Sequence, residues 1–155
     1  MIQYRLQSDT NELTLQRLQY LMDSIPSILK NIPKSAFSHK PSPEKWSKKE
    51  IIGHLIDSAT NNHHRFVRAQ FEESPNILYN QVLWNNHSYY QQMDGHRLIA
   101  FWEMYNRHII ELIRLMPSDQ LAKECRMSDG NNYSISWLFD DYVRHLEHHL
   151  KQIIK

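Results

Sequence analysis

One cysteine, Cys125, is all the thiol this chain has. An intrachain disulfide is excluded, and a reducing compartment is expected. Glycine is scarce at three residues and proline at six. That weighs against a turn-rich β architecture and in favour of long helices. Neither sign of charge dominates, since the formal net charge is +1 with histidines neutral. Nothing argues for a nucleic-acid footprint or for attraction to a membrane surface. No apolar stretch approaches the length of a membrane span, and Met1-Ile2-Gln3-Tyr4-Arg5-Leu6-Gln7-Ser8-Asp9 lacks the apolar run of a secretory signal. A Gly-rich phosphate loop and a serine nucleophile elbow are both missing. These absences predict a cytoplasmic protein that binds neither nucleic acid nor membrane.

What is present is ordinary in proportion. The chain has 155 residues, 41% hydrophobic and 23% charged, which suits one domain over residues 1–155 with a sizeable core. Only the ten histidines stand out.

Hydrophobic periodicity predicts four amphipathic helices. The first is capped by Ser8, Asp9 or Thr10 and carries Leu13, Leu15, Leu18, Leu21, Met22, Ile25, Ile28 and Leu29 at three- and four-residue steps. Pro26 is expected to kink or end it. Pro33 and Ser38-His39-Lys40-Pro41-Ser42-Pro43 predict a loop. Ser47-Lys48-Lys49-Glu50 is a capping box, with Trp46 as its hydrophobic staple. A second helix should run from there to about Phe71. Its apolar side holds Ile52, Leu55, Ile56, Ala59, Phe66 and Val67, and its polar side Glu50, His54, Asp57, Asn61, Arg65 and Arg68.

Residues 75–87 are polar and aromatic, and predict a loop with at most a short turn of helix. The third helix should start at Ser88 or Asp94 and end at Met116, on a stripe of Leu98, Phe101, Trp102, Tyr105, Ile109, Leu112, Ile113 and Met116. Leu121 is a candidate anchor, and Ser128-Asp129-Gly130-Asn131-Asn132 a turn. The fourth helix should start at Ser134 or Ser136. No segment alternates as a strand. The reading is an all-α four-helix bundle with a long connector between helices 2 and 3.

The last helix carries the chemistry. Its inward seam reads Leu138, Tyr142, His145, His149, then Gln152 or Ile153, while His148 groups with the solvated Asp141, Arg144 and Lys151. His145 and His149, four residues apart, stack on one helical face. That spacing lets two imidazoles reach one metal ion. The alternative is two core histidines satisfied by hydrogen bonds, but two polar rings in one apolar seam are hard to satisfy that way. A zinc-like ion wants a third protein ligand. Candidates are His63 on the apolar side of the second helix, His108 beside the third stripe, and His54. The last lies about 140° from the centre of its helix's apolar side, at 100° per residue. Spacing leaves the choice open. Asp57, one turn after His54, is a candidate acceptor for a ligand ring N–H. Cys125 has no local histidine base and reads as incidental.

The segment Trp46-Ser47-Lys48-Lys49-Glu50-Ile51-Ile52-Gly53-His54-Leu55-Ile56-Asp57-Ser58-Ala59 resembles the WS-x-x-E-x-x-x-HL-x-D signature of the DinB/YfiT-like superfamily. Arg65-Phe66, Tyr79-Asn80-Gln81, Asp129-Gly130 and His145-x-x-x-His149-x-x-Gln152-Ile153 extend the resemblance over nearly the whole chain, in order. The resemblance implies a four-helix bundle holding a divalent metal, zinc or nickel, on three histidines: His54, His145 and His149. An open coordination position would take water or substrate. It also implies a homodimer, and a function among thiol-dependent S-transferases using bacillithiol, mycothiol or glutathione, isomerases, and metal-dependent hydrolases.

The expected activity is thiol S-transfer from a low-molecular-weight thiol to a small electrophile, with the metal acidifying the thiol. Hydrolysis of a small molecule is the alternative, with Glu147 as a weak candidate base. A third reading is a non-catalytic, metal-stabilised binding module. Asp57 and Asn61 are expected to orient ligands or substrate.

Overall fold

A computed structural model describes residues 2–154, with side chains described for residues 11–154. Four long helices dominate: α1 (Ile2–Lys30), α3 (Lys48–Arg68), α5 (Gly95–Leu115) and α7 (Ile135–Ile153). The short helices α2 (Lys34–Ser38), α4 (Gln81–Asn86) and α6 (Ser118–Leu121) lie between them. A 3-10 turn at Tyr90–Gln92 and the strands β1 (Glu124–Arg126) and β2 (Asn132–Ser134) complete the chain. Both α1 and α3 pack on α5 and on α7. The pairs α1 with α3 and α5 with α7 therefore sit across the diagonals, α3 and α5 are neighbours, and the fold is a four-helix bundle with a long connector between α3 and α5. Among the described residues, no helix is long and apolar enough to cross a membrane.

The core is built from the expected stripes. Leu15, Leu18, Met22 and Leu29 of α1 meet Leu98, Trp102, Ile109 and Ile113 of α5 and Phe139, Tyr142 and Leu146 of α7 in one buried cluster. Leu13, Ile28 and Phe101 were expected in the stripes but are exposed, at the margins of their apolar faces. The helix α1 also begins at Ile2, so the expected caps Ser8, Asp9 and Thr10 are interior positions of its backbone, and their side chains lie outside the described residues.

Pro26 neither ends nor breaks α1. Proline lacks the N–H that would pair with the carbonyl four residues earlier. That carbonyl is Met22 O, and Arg107 Nη2 of α5 donates to it at 3.0 Å. A guanidinium on the neighbouring helix thus replaces the missing intrahelical donor.

The capping box of α3 forms as expected: Ser47 Oγ accepts from Glu50 N at 3.1 Å, and Ser47 N donates to Glu50 Oε1 at 3.0 Å. The helix ends at Arg68, short of Phe71. The polar side of α3 is not solvated, because Glu50, His54, Asp57, Asn61 and Arg65 are all buried. The connector covers that side. Arg65 Nε and Nη2 donate to Ile77 O at 3.1 and 2.6 Å, Asn85 Nδ2 donates to Glu50 O at 2.9 Å, and Lys49 Nζ donates to Met93 O at 2.9 Å.

Within the connector, Tyr89 adopts a left-handed backbone with φ 59°. It precedes the 3-10 turn that buries Tyr90. Of the two expected starts for the third helix, Ser88 and Asp94, the turn leaves the second: α5 begins at Gly95, capped by the Asp94 side chain at Arg97 N. The strands were not foreseen. They form an antiparallel hairpin pairing Cys125 with Tyr133, turned by Gly130 at φ 81°. Three residues per strand are too few for alternation to register.

Candidate metal centre

Three side chains from two helices converge. His54 Nε2 lies 3.3 Å from His145 Nε2, which lies 3.1 Å from His149 Nε2. One ligand nitrogen from each of the three falls within 4.8 Å of the others. Register explains the meeting. His145 and His149 are one turn apart on α7, and α7 packs directly on α3. His54 is fully buried, whereas His145 and His149 are only half-buried. The dry seam of α7 belongs instead to Leu146 and Leu150, so the two histidines flank the apolar core and do not replace leucine in it. His148 is exposed, as its grouping predicted.

The three nitrogens cannot satisfy one another. Each neutral imidazole nitrogen offers either one N–H or one lone pair. His145 Nε2 faces two other Nε2 atoms, and a single proton or lone pair serves one of them well. A cation in the middle would use all three lone pairs at once. Protonation is no remedy. Burial, then the neighbouring His145 and His149, pushes His54 down to about 3. Burial, then His149 and His148, pushes His145 down to about 4. Burial also lowers His149, against a hydrogen bond to Gln152 that raises it. The triad is thus neutral near pH 7, the state in which imidazole is a metal ligand. These residues fit a divalent ion.

The surroundings fix the rings. His149 Nδ1 pairs with Gln152 Oε1 at 3.0 Å, which assigns the proton to Nδ1 and frees Nε2. Trp46 lays its indole on His54, with ring centroids 5.0 Å apart. Asp57 Oδ1 accepts the Tyr90 hydroxyl at 2.5 Å, and burial raises the Asp57 carboxyl to about 6 despite that bond. Asn61 Nδ2 donates to the main-chain carbonyl of Asp57 at 2.9 Å.

The other candidates gather elsewhere. His63 faces α5, where its Nδ1 meets Tyr105 Oη at 2.9 Å and its ring meets that of His108 at 5.4 Å. The apolar side of α3 points to α5 at that position, so the spacing that nominated His63 selected the wrong neighbour. Glu147 is tied to Arg17 at 2.7 Å on the surface, away from a base's role. Cys125 is buried, its thiol pushed up by that burial, and it donates to Arg65 O at 3.7 Å. Sequence reasoning missed Tyr90, which sits in a connector without periodicity. Trp46 reads in the sequence as a staple and as the start of the family signature, not as a neighbour of the His54 ring. Gln152 carried a usable signal, three residues beyond His149.

No curated protein matches the chain in sequence. Solved structures do match in fold. A Bacillus subtilis protein, YfiT, described as a probable metal-dependent hydrolase with an unusual four-helix bundle topology, superposes with a TM-score of 0.79 at 20% identity, over 89% of this chain and 80% of its own. A mycothiol-dependent maleylpyruvate isomerase gives 0.69 at 17% identity, over 90% of this chain but 59% of its own. A DinB-like protein of Bacillus subtilis gives 0.64 at 14% identity, over 92% and 87%. The family model described as the DinB superfamily matches residues 13–153. The chain belongs to the DinB superfamily.

Proposed function

We propose that His54, His145 and His149 bind a divalent metal ion through their Nε2 atoms, and that the chain is a metal-dependent enzyme acting on a small molecule. The observation that carries this reading is the meeting of three neutral imidazole nitrogens that no hydrogen-bond pattern satisfies. A bound ion would supply Lewis-acid chemistry, lowering the pKa of a thiol or water toward neutrality. The protein's own part is orientation and protection. Gln152 fixes the His149 tautomer. Trp46 covers His54 with a flat apolar surface that limits water there. Three imidazoles suit zinc, nickel, copper and iron alike, and zinc or nickel are the ions to load first.

Thiol S-transfer to a small electrophile is the activity we favour, because neither Glu147 nor Cys125 is placed as a base or nucleophile. An external thiol would then be the nucleophile. The structural likeness to the mycothiol-dependent isomerase supports this choice. Hydrolysis is the second reading, supported by the higher structural similarity to YfiT. Conjugation of a reactive electrophile by the metal-loaded protein, assayed with bacillithiol, mycothiol and glutathione in turn, separates the two. Thiol transfer predicts turnover with at least one thiol and none without. Turnover that is indifferent to every thiol would overturn it in favour of hydrolysis. A homodimer also belongs to this proposal. Exposed Phe101, Met104 and Leu115 share one flank of α5 and are the positions to vary while mass is followed by light scattering.

A further inference from the structure

Among the described residues, four buried side-chain polar atoms lack a hydrogen-bond partner: His54 Nδ1, Asp57 Oδ2, Asn85 Oδ1 and Trp102 Nε1. Two of these lie one helical turn apart on α3, and they are chemically complementary. With His54 Nε2 turned toward His145 and His149, a neutral ring carries its proton on Nδ1 and needs an acceptor. Asp57 Oδ2 is an acceptor in need of a donor. His54 is fully buried and Asp57 is 2% exposed, so bulk water serves neither. Residues three apart on a helix share a face, with Cβ atoms about 5–6 Å apart. His54 Nδ1 and Asp57 Oδ2 make no direct bond, and that span suits one bridging water.

The same device is already made once in this molecule. His149 Nδ1 is held by Gln152, also three residues onward on its helix. The other half of Asp57 is fixed: Oδ1 accepts from Tyr90. The ring of Tyr90 lies against Gly53, where a Cβ would come within 2.1 Å of its Cδ2. Tyr90 thus grips α3 on both sides of His54, at positions 53 and 57. Burial, then the Asp57 carboxylate, holds the Tyr90 phenol far above its ordinary range, so it stays a donor.

We propose that Asp57, clamped by Tyr90, is a positioning residue of the metal centre, its Oδ2 accepting the Nδ1–H of His54 through one bridging water. This rests on the metal-binding reading above. It gives the connector a task, since the turn that buries Tyr90 sets the orientation of the one ligand that α3 supplies.

Two measurements test it. Long-range 1H–15N NMR of the histidine rings in the metal-free protein reads the His54 tautomer. The expected result is a proton on Nδ1, with a shift that moves in Asp57→Asn. A proton on Nε2 in both proteins overturns the proposal. Competition with a chromophoric chelator gives zinc affinity. Asp57→Asn is expected to weaken zinc about 10–100-fold, the usual cost of removing such a support, without lowering the unfolding midpoint of the metal-free protein. Tyr90→Phe, which keeps the ring on Gly53, is expected to weaken it several-fold. Affinity within twofold of the parent in both variants overturns the proposal. A parent that binds no zinc sinks the metal reading instead, and the tautomer of His54 then still decides the contact with Asp57.

Discussion

His145 shows at the scale of one residue why a cation is proposed at this centre. Its Nε2 has a nitrogen at 3.3 Å on one side and at 3.1 Å on the other, and it can satisfy only one of them well. Removal of any one of the three imidazoles leaves two ligands. His54→Ala, His145→Ala and His149→Ala should each weaken zinc binding by more than the 10–100-fold typical of a supporting residue, as read by chelator competition. The same rings predict a pH dependence. Both His54 and His145 have folded values, about 3 and about 4, below the ordinary 6.5. Between those limits the unfolded chain binds more protons, so stability rises with pH and is lost as pH falls below about 6.5. Asp57 runs the other way. Its raised value favours the folded state at low pH, and that contribution fades as pH rises through about 6. Two histidines outweigh one aspartate. The urea midpoint of the metal-free protein should fall from pH 7 to pH 4, and the fall should be shallower in a His54→Gln/His145→Gln double variant. Parallel profiles would contradict the assignment.

The elements place those residues through a few specific contacts. Ser47 caps α3 and also donates to Gln91 Oε1 at 2.6 Å, tying the helix start to the connector. Ser47→Ala should cost about 1 kcal/mol by chemical denaturation. Gly53→Ala drives a methyl into the Tyr90 ring, and overpacking of this kind costs about 1–3 kcal/mol. The helix α1 offers a cleaner test. Arg107 serves the Met22 carbonyl that Pro26 leaves without a helical donor. Arg107→Ala should destabilise the parent by about 1–2 kcal/mol. It should cost measurably less in a Pro26→Ala background, where residue 26 regains its own N–H. An equal cost in both backgrounds would show that the contact is incidental.

For the whole molecule, the four long helices were legible because a 3.6-residue apolar stripe is a strong signal in each. The pair His145 and His149 was legible for the same reason. His54 was not, because its helix is buried on two sides and periodicity sees only the apolar one. The second side is polar and is covered by the connector, whose Asn85 and Tyr90 make contacts remote in sequence. No local pattern encodes those. Only the resemblance to a family motif pointed to His54, and the packing of α3 on α7 then brought its ring to the other two. Trp46 was legible as a residue but not in its place on that ring. That place makes it a reporter: nickel titrated into the protein should quench tryptophan emission in the parent and far less in Trp46→Phe.

The central claim is that these three histidines form one metal site. Its most direct test is the metal content of the purified protein after loading with zinc or nickel and desalting, beside the His145→Ala variant under the same treatment. The account predicts one ion per chain in the parent and close to none in the variant. Equal content in the two, or none in the parent, would contradict it.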